Sequence, residues 1–191
     1  MIPSINSSGV LPPFLPGEEP TDPAAMAPYP ASITELASEF ATTPERSAIL
    51  AGLLAFRERL RSAGIDQGFQ WIDGSFLEDC EGIRGRPPKD MDLVTFARRP
   101  RQHQQQAEWQ AFFQANLNLF RRKDVKAAYG CDAFYIDLCL PPEAVVSRSR
   151  YWFGLLSHQR STYLWKGLIE VPIVDDDDEA RALLGGGSDA S

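Results

Sequence analysis

The chain has 191 residues, of which 43% are hydrophobic and 24% charged, the make-up of an ordinary soluble globular protein with room for one domain and a sizeable core. Its formal net charge of -7 resides in the tails: Ser32 to Val171 holds 18 basic and 17 acidic residues, so the core itself is nearly neutral and compatible with an anionic substrate. No apolar run approaches the roughly 20 residues of a membrane helix, the Pro-broken N-terminus does not read as a signal peptide, and Cys80, Cys131 and Cys139, odd in number and without C-x-x-C spacing, point to reduced thiols in a cytoplasmic protein.

In chain order, residues 1–31 are rich in Pro, Ser and Gly and read as an extended arm, partly disordered, with Val10, Leu11, Phe14 and Leu15 able to dock on the core. Ser32 and Glu35 form a capping box for a short helix to about Phe40. Thr43 as N-cap, Pro44, a stripe of Ile49, Leu50, Leu53, Leu54 and Leu60, and Gly64 as the stop delimit a second helix. Phe69 to Asp73 is the first strand, and FLEDCEGI after Ser75 allows one or two helical turns. Met91 to Phe96 is the second strand. Residues 104–120 carry Trp109, Phe112, Phe113, Leu117 and Phe120 at helical spacing and end in Arg121, Arg122, Lys123 and Lys126, a basic end suited to the helix dipole. Ala133 to Leu140 is the third strand, Pro142 to about Ser157 a helix, and the second half of Tyr163 to Val174 a strand. The domain proper is 32–174; residues 175–191 are expected to be an acidic disordered tail. Helices and strands interleave as in an α/β (α+β) domain.

The chemistry concentrates between Gly68 and Phe96. Side chains of a strand alternate faces, so Asp90 and Asp92 point the same way. Two carboxylates sharing one face repel each other unless a cation lies between them, and an acid in an apolar strand, Asp137, requires a similar reason. Aspartates without neighbouring His or Cys suit Mg²⁺ or Mn²⁺ rather than zinc. The same Asp90 and Asp92 spacing also suits a solvent-facing edge strand. Gly74 either makes a tight turn or lets backbone N–H groups approach phosphate, and Ser75 serves equally as a helix cap. Arg84, Arg86 and Lys89 are the nearest bases for phosphate, or else line a solvated loop; Lys166 is a weaker candidate. Asp73 and Asp79 read as structural, and His103 and His158 are isolated.

Gly74 and Ser75, then Asp90, Met91, Asp92 and Leu93, with Asp137 on a later strand, resemble the signature of the DNA polymerase beta type nucleotidyltransferase superfamily. The wider pattern, LPP near the start, WIDGSF at a strand end and then DMD, is similar to a family of small bacterial proteins with no assigned substrate. The chain departs from the superfamily in the fourteen residues between Ser75 and Asp90 and in Lys89, where Ser is common. The resemblance implies a mixed central sheet flanked by helices and Mg²⁺ or Mn²⁺ on Asp90, Asp92 and Asp137. It implies transfer of a nucleoside monophosphate from a nucleoside triphosphate to an acceptor hydroxyl on RNA, protein or a small molecule, and it admits a partner protein. Two rivals are a degenerate fold serving as a nucleotide sensor or protein-interaction module, and a two-metal nuclease.

Overall fold

Ser32 Oγ accepts the backbone N–H of Glu35 at 3.1 Å and Thr43 Oγ1 that of Arg46 at 3.3 Å, so the two caps start α1 (Ile33–Phe40) and α2 (Pro44–Ser62) where their side-chain oxygens satisfy otherwise unpaired donors. The structure, a computed structural model, describes residues 1–19, 21–160 and 162–186. Leu50, Leu53, Leu54 and Leu60 of α2 are buried, at about 1.5 to 3 kcal/mol each. They pack on one face of a five-stranded sheet whose strands are β1 (Tyr29–Pro30), β2 (Gly68–Asp73), β3 (Met91–Ala97), β4 (Cys131–Asp137) and β5 (Ile169–Pro172).

The sheet order is β1-β5-β2-β3-β4, with β1 and β5 parallel, β5, β2 and β3 successively antiparallel, and β3 and β4 parallel. This is the expected mixed sheet flanked by helices. Ile72, Met91, Leu93 and Ala133 point toward α2, while Trp71, Val94, Phe96 and Ile136 point to the opposite face, covered by Trp152, Phe153 and Leu156 of α7 (Pro142–Leu156). Among the described residues no helix is long and apolar enough to cross a membrane.

Several boundaries move from their expected places. The 104–120 helix is two, α4 (Gln106–Ala115) and α5 (Leu117–Phe120), and the basic segment after it is a further helix, α6 (Arg122–Tyr129). Asn116 makes the first break, its side-chain amide donating to Phe112 O at 2.9 Å in competition with the helical ladder. The FLEDCEGI segment becomes one 3₁₀ turn, Ser75–Leu77, and α3 (Cys80–Arg84), capped by Asp79. The β4 strand begins at Cys131 rather than Ala133 and so takes in Asp132.

The two tails are corrected most. The arm is built into the fold: Val10 and Leu11 are buried, Leu11 O accepts from Gly167 N at 2.8 Å, and Tyr29–Pro30 is a strand of the sheet. The acidic tail is ordered through α8 (Asp177–Gly186), which lies against α1 and α2. Its physical reason is Arg57, a wholly buried guanidinium of α2 held by Asp177 at 2.7 and 3.0 Å, with Gln70 Oε1 at 2.9 Å. Asp175 and Asp176 accept the N–H groups of Ile33 and Thr34 and cap α1 from a distance in sequence. The rest of the expected tail, 187–191, lies outside the described residues.

Candidate functional site

The β2 strand ends on Asp73, and Gly74 turns the chain with φ +87°, a backbone conformation open to glycine. A Cβ at Gly74 would stand 2.6 Å from Asp92 Oδ2, so the glycine also clears space for that carboxylate. Strand pairing then fixes the acids. Asp73 lies opposite Asp92 across the antiparallel β2/β3 pair, and Asp92 lies opposite Asp132 across the parallel β3/β4 pair. Register partners project to the same face, so three aspartates from three adjacent strands stand in one row, with Asp90 just ahead of β3 on the same side.

Beside this row is a cleft of about 440 Å³, lined by Asp73, Gly74, Ser75, Arg84, Arg86, Asp90 and Asp92 and closed by Glu78, Leu155, His158, Gln159, Arg160 and Lys166. Lys166, 3% exposed, reaches Asp73 Oδ1 at 2.9 Å, Glu78 Oε1 at 3.0 Å and Gly74 O at 3.3 Å. Its ammonium thereby fastens the turn, by hydrogen bonds to Glu78 and Gly74 O and by charge to Asp73. Glu78 also accepts Gln159 Nε2 at 2.9 Å and the Arg84 guanidinium; burial alone would raise its carboxyl, but Lys166, Gln159 and Arg84 outweigh burial and hold it below its ordinary range.

The remaining acids fare unequally. Burial pushes the Asp73 carboxyl up to about 6, since Lys166 offsets only part of the cost and Oδ1 completes no aligned hydrogen bond. Burial also raises Asp92, helped by the charges of Asp132 and Asp90 and opposed by Arg160 and Lys166. Asp92 forms no ion pair or side-chain hydrogen bond among the described residues. Asp132 is buried but paired with Arg122 and with Lys126 at 3.2 Å; these contacts outweigh desolvation and lower its carboxyl. Lys126 also pairs with Asp90.

Of the residues singled out in the sequence, Gly74, Ser75, Arg84, Arg86, Asp90 and Asp92 meet at the cleft, while Lys89 is exposed and outside its lining. Asp137 is separated from them: it pairs with Ala97 at the far end of β3, on the opposite face of the sheet, where Arg99 Nε donates to its Oδ2 at 2.8 Å. Asp132 stands where Asp137 was expected. The two are five apart, an odd interval that puts them on opposite faces of one strand. Asp73, read as structural, is part of the row, and Arg122 and Lys126, read as a helix end, hold two of its acids. Missed too were Gln159 and Arg160, which enter on the loop after α7 with no local pattern to mark them.

Among the described residues no three carboxylate, imidazole or thiol groups converge to hold a metal ion. The donors nonetheless fit Mg²⁺ or Mn²⁺: Asp90 and Asp92 are hard oxygen ligands, Asp92 is in no ion pair among the described residues, and Mg²⁺ commonly uses one or two carboxylates and completes its shell with water and substrate phosphate. No curated protein and no solved structure matched the chain. Residues 3–172 match the model of a family of unknown function (DUF6932). With nearly the whole chain from the N-terminal arm through β5 inside that match, the protein belongs to this family.

Proposed function

We propose that the cleft transfers a nucleoside monophosphate from a nucleoside triphosphate to an acceptor hydroxyl, releasing pyrophosphate. The observation that carries this reading is the row of Asp73, Asp92 and Asp132 beside a glycine turn, with Asp92 in no ion pair among the described residues. In it, Asp90 and Asp92 hold Mg²⁺ or Mn²⁺, which supplies Lewis-acid neutralisation of phosphate charge. Gly74 and Ser75 present the turn to the phosphates, and Arg84, Arg86 and Arg160 balance their charge along the cleft wall. Lys166 keeps the turn in register from beneath, being spent on Asp73, Glu78 and Gly74 O. Asp132 stays paired with Arg122 and Lys126 at the end of the row, and the proton of the acceptor hydroxyl leaves to solvent.

A second reading, a degenerate fold that senses nucleotide or binds a partner protein, draws on one observation: Lys126 already bridges Asp90 and Asp132. Thermal unfolding with Mg²⁺ or Mn²⁺ and each of the four ribonucleoside triphosphates tests both. A metal-dependent rise with one nucleotide, lost in Asp92→Asn and accompanied by pyrophosphate release, supports transfer; a nuclease releases no pyrophosphate. Binding without release favours the sensor, and no shift with any pairing removes the transferase reading.

A further inference from the structure

The open edge of β4 borders a second cavity, of about 360 Å³, within the size range of small-molecule sites. Ala133, Phe134 and Tyr135 all line it. Three consecutive strand residues point alternately to opposite faces, so a cavity touching all of them lies along the strand's edge. Its walls are aromatic: Trp109 and Tyr135 lie 5.8 Å apart at 29°, and Phe113 and Phe120 lie 4.4 Å apart at 24°.

Three arginines also reach the cavity, and their charges are not equally matched. Arg99 is buried over Trp109 and held by Asp137, Gln104 O and Gln106. Arg122 lies over the Phe134 ring, 5.6 Å from its centroid, and pairs with Asp132. Arg148, exposed on α7, has no side-chain partner among the described residues. One uncompensated cation thus stands beside paired aromatic walls. Planar rings stack on such walls regardless of their edges, and a phosphate meets the guanidinium through paired N–H donors.

We propose that this cavity is a second ligand site, for one nucleotide unit: a base seated against Phe113 and Tyr135, with its phosphate on Arg148. The unit comes either from a free mononucleotide or from a single-stranded nucleic acid. Arg122 touches both this cavity and Asp132, so the site adjoins the row of acids. Only the corollary that it seats the acceptor rests on the nucleotidyl-transfer reading; the binding itself does not.

The test uses the full chain in EDTA, which silences any metal-dependent binding in the cleft, and follows the anisotropy of a fluorescein-labelled single-stranded oligoadenylate of about ten nucleotides, with AMP, polyphosphate and polyglutamate as competitors. Binding should weaken about tenfold in Arg148→Glu and in Phe113→Ala. Displacement by AMP assigns the site to free nucleotides; binding of the oligomer without displacement by AMP assigns it to a strand. The proposal is overturned if the wild type binds neither ligand, if Arg148→Glu, which is exposed and leaves the fold intact, binds as well as wild type, or if polyphosphate or polyglutamate displaces the oligomer as well as unlabelled oligoadenylate does. The Mg²⁺ and triphosphate response of the cleft is read separately, so either site can fail alone.

Discussion

Arg57 and Arg122 both answer a buried aspartate, and the two pairs behave oppositely. Around Arg57 every charge is enclosed and met: Asp177 takes two of its donors, Gln70 a third and Arg61 shares the acid at 2.8 Å. Around Arg122 the arginine and Lys126 are exposed, one acid of the row is overmatched and its neighbour Asp92 has no partner. Closed charge of the first kind fixes α8 to α2 and does nothing else. Charge left unequal, at the edge of a cleft, is what a ligand can complete. The contrast explains why two acidic clusters of one chain have different roles.

The sharpest way to break that contrast is Arg57→Met, which leaves the buried Asp177 with Arg61 alone; it should cost about 3 kcal/mol in urea unfolding and release α8, measured by hydrogen exchange. Next is pH. The Asp73 carboxyl titrates near 6 in the fold against 3.8 when unfolded, so between these values the folded state binds more protons and the stability of the wild type falls as pH rises. Relative to Asp73→Asn, the wild type should lose about 2 kcal/mol from pH 3.8 to 6; a constant difference would deny the buried acid its role. Asp92→Asn should instead stabilise the ligand-free protein in the same unfolding assay at pH 7, because it removes a charge that burial and the neighbouring Asp132 and Asp90 disfavour. Least affected should be Glu58→Ala, which deletes an exposed pair with Arg181; the change should stay under about 1 kcal/mol.

How much of this was legible depends on distance along the chain. The N-caps Ser32 and Thr43, the α2 stripe and the strands ending at Asp73 and beginning at Met91 are local patterns and appear as read, except that Glu35 accepts from Ile2 N instead of closing the expected capping box. Asp90 and Asp92 were legible from alternation alone. Asp132 was not, because the pairing of β4 with β3 is decided by packing remote in sequence, and nothing local chooses between two acids in one apolar run. Nothing local marks Arg57 for the core; its burial depends on an acid 120 positions away. That same bond turned the acidic tail from a solvated segment into α8.

The row of aspartates has one consequence for how such a cleft can vary. Neighbouring strands run about 4.8 Å apart, and the acids sit on three successive strands, so the sheet acts as a ruler graduated in carboxylates. A connection such as the fourteen residues between Ser75 and Asp90 can lengthen, shorten or change its charge without rescaling that ruler. Diversity among proteins of this kind then belongs to the walls, which decide what is admitted, while the interval between the acids stays a property of the backbone.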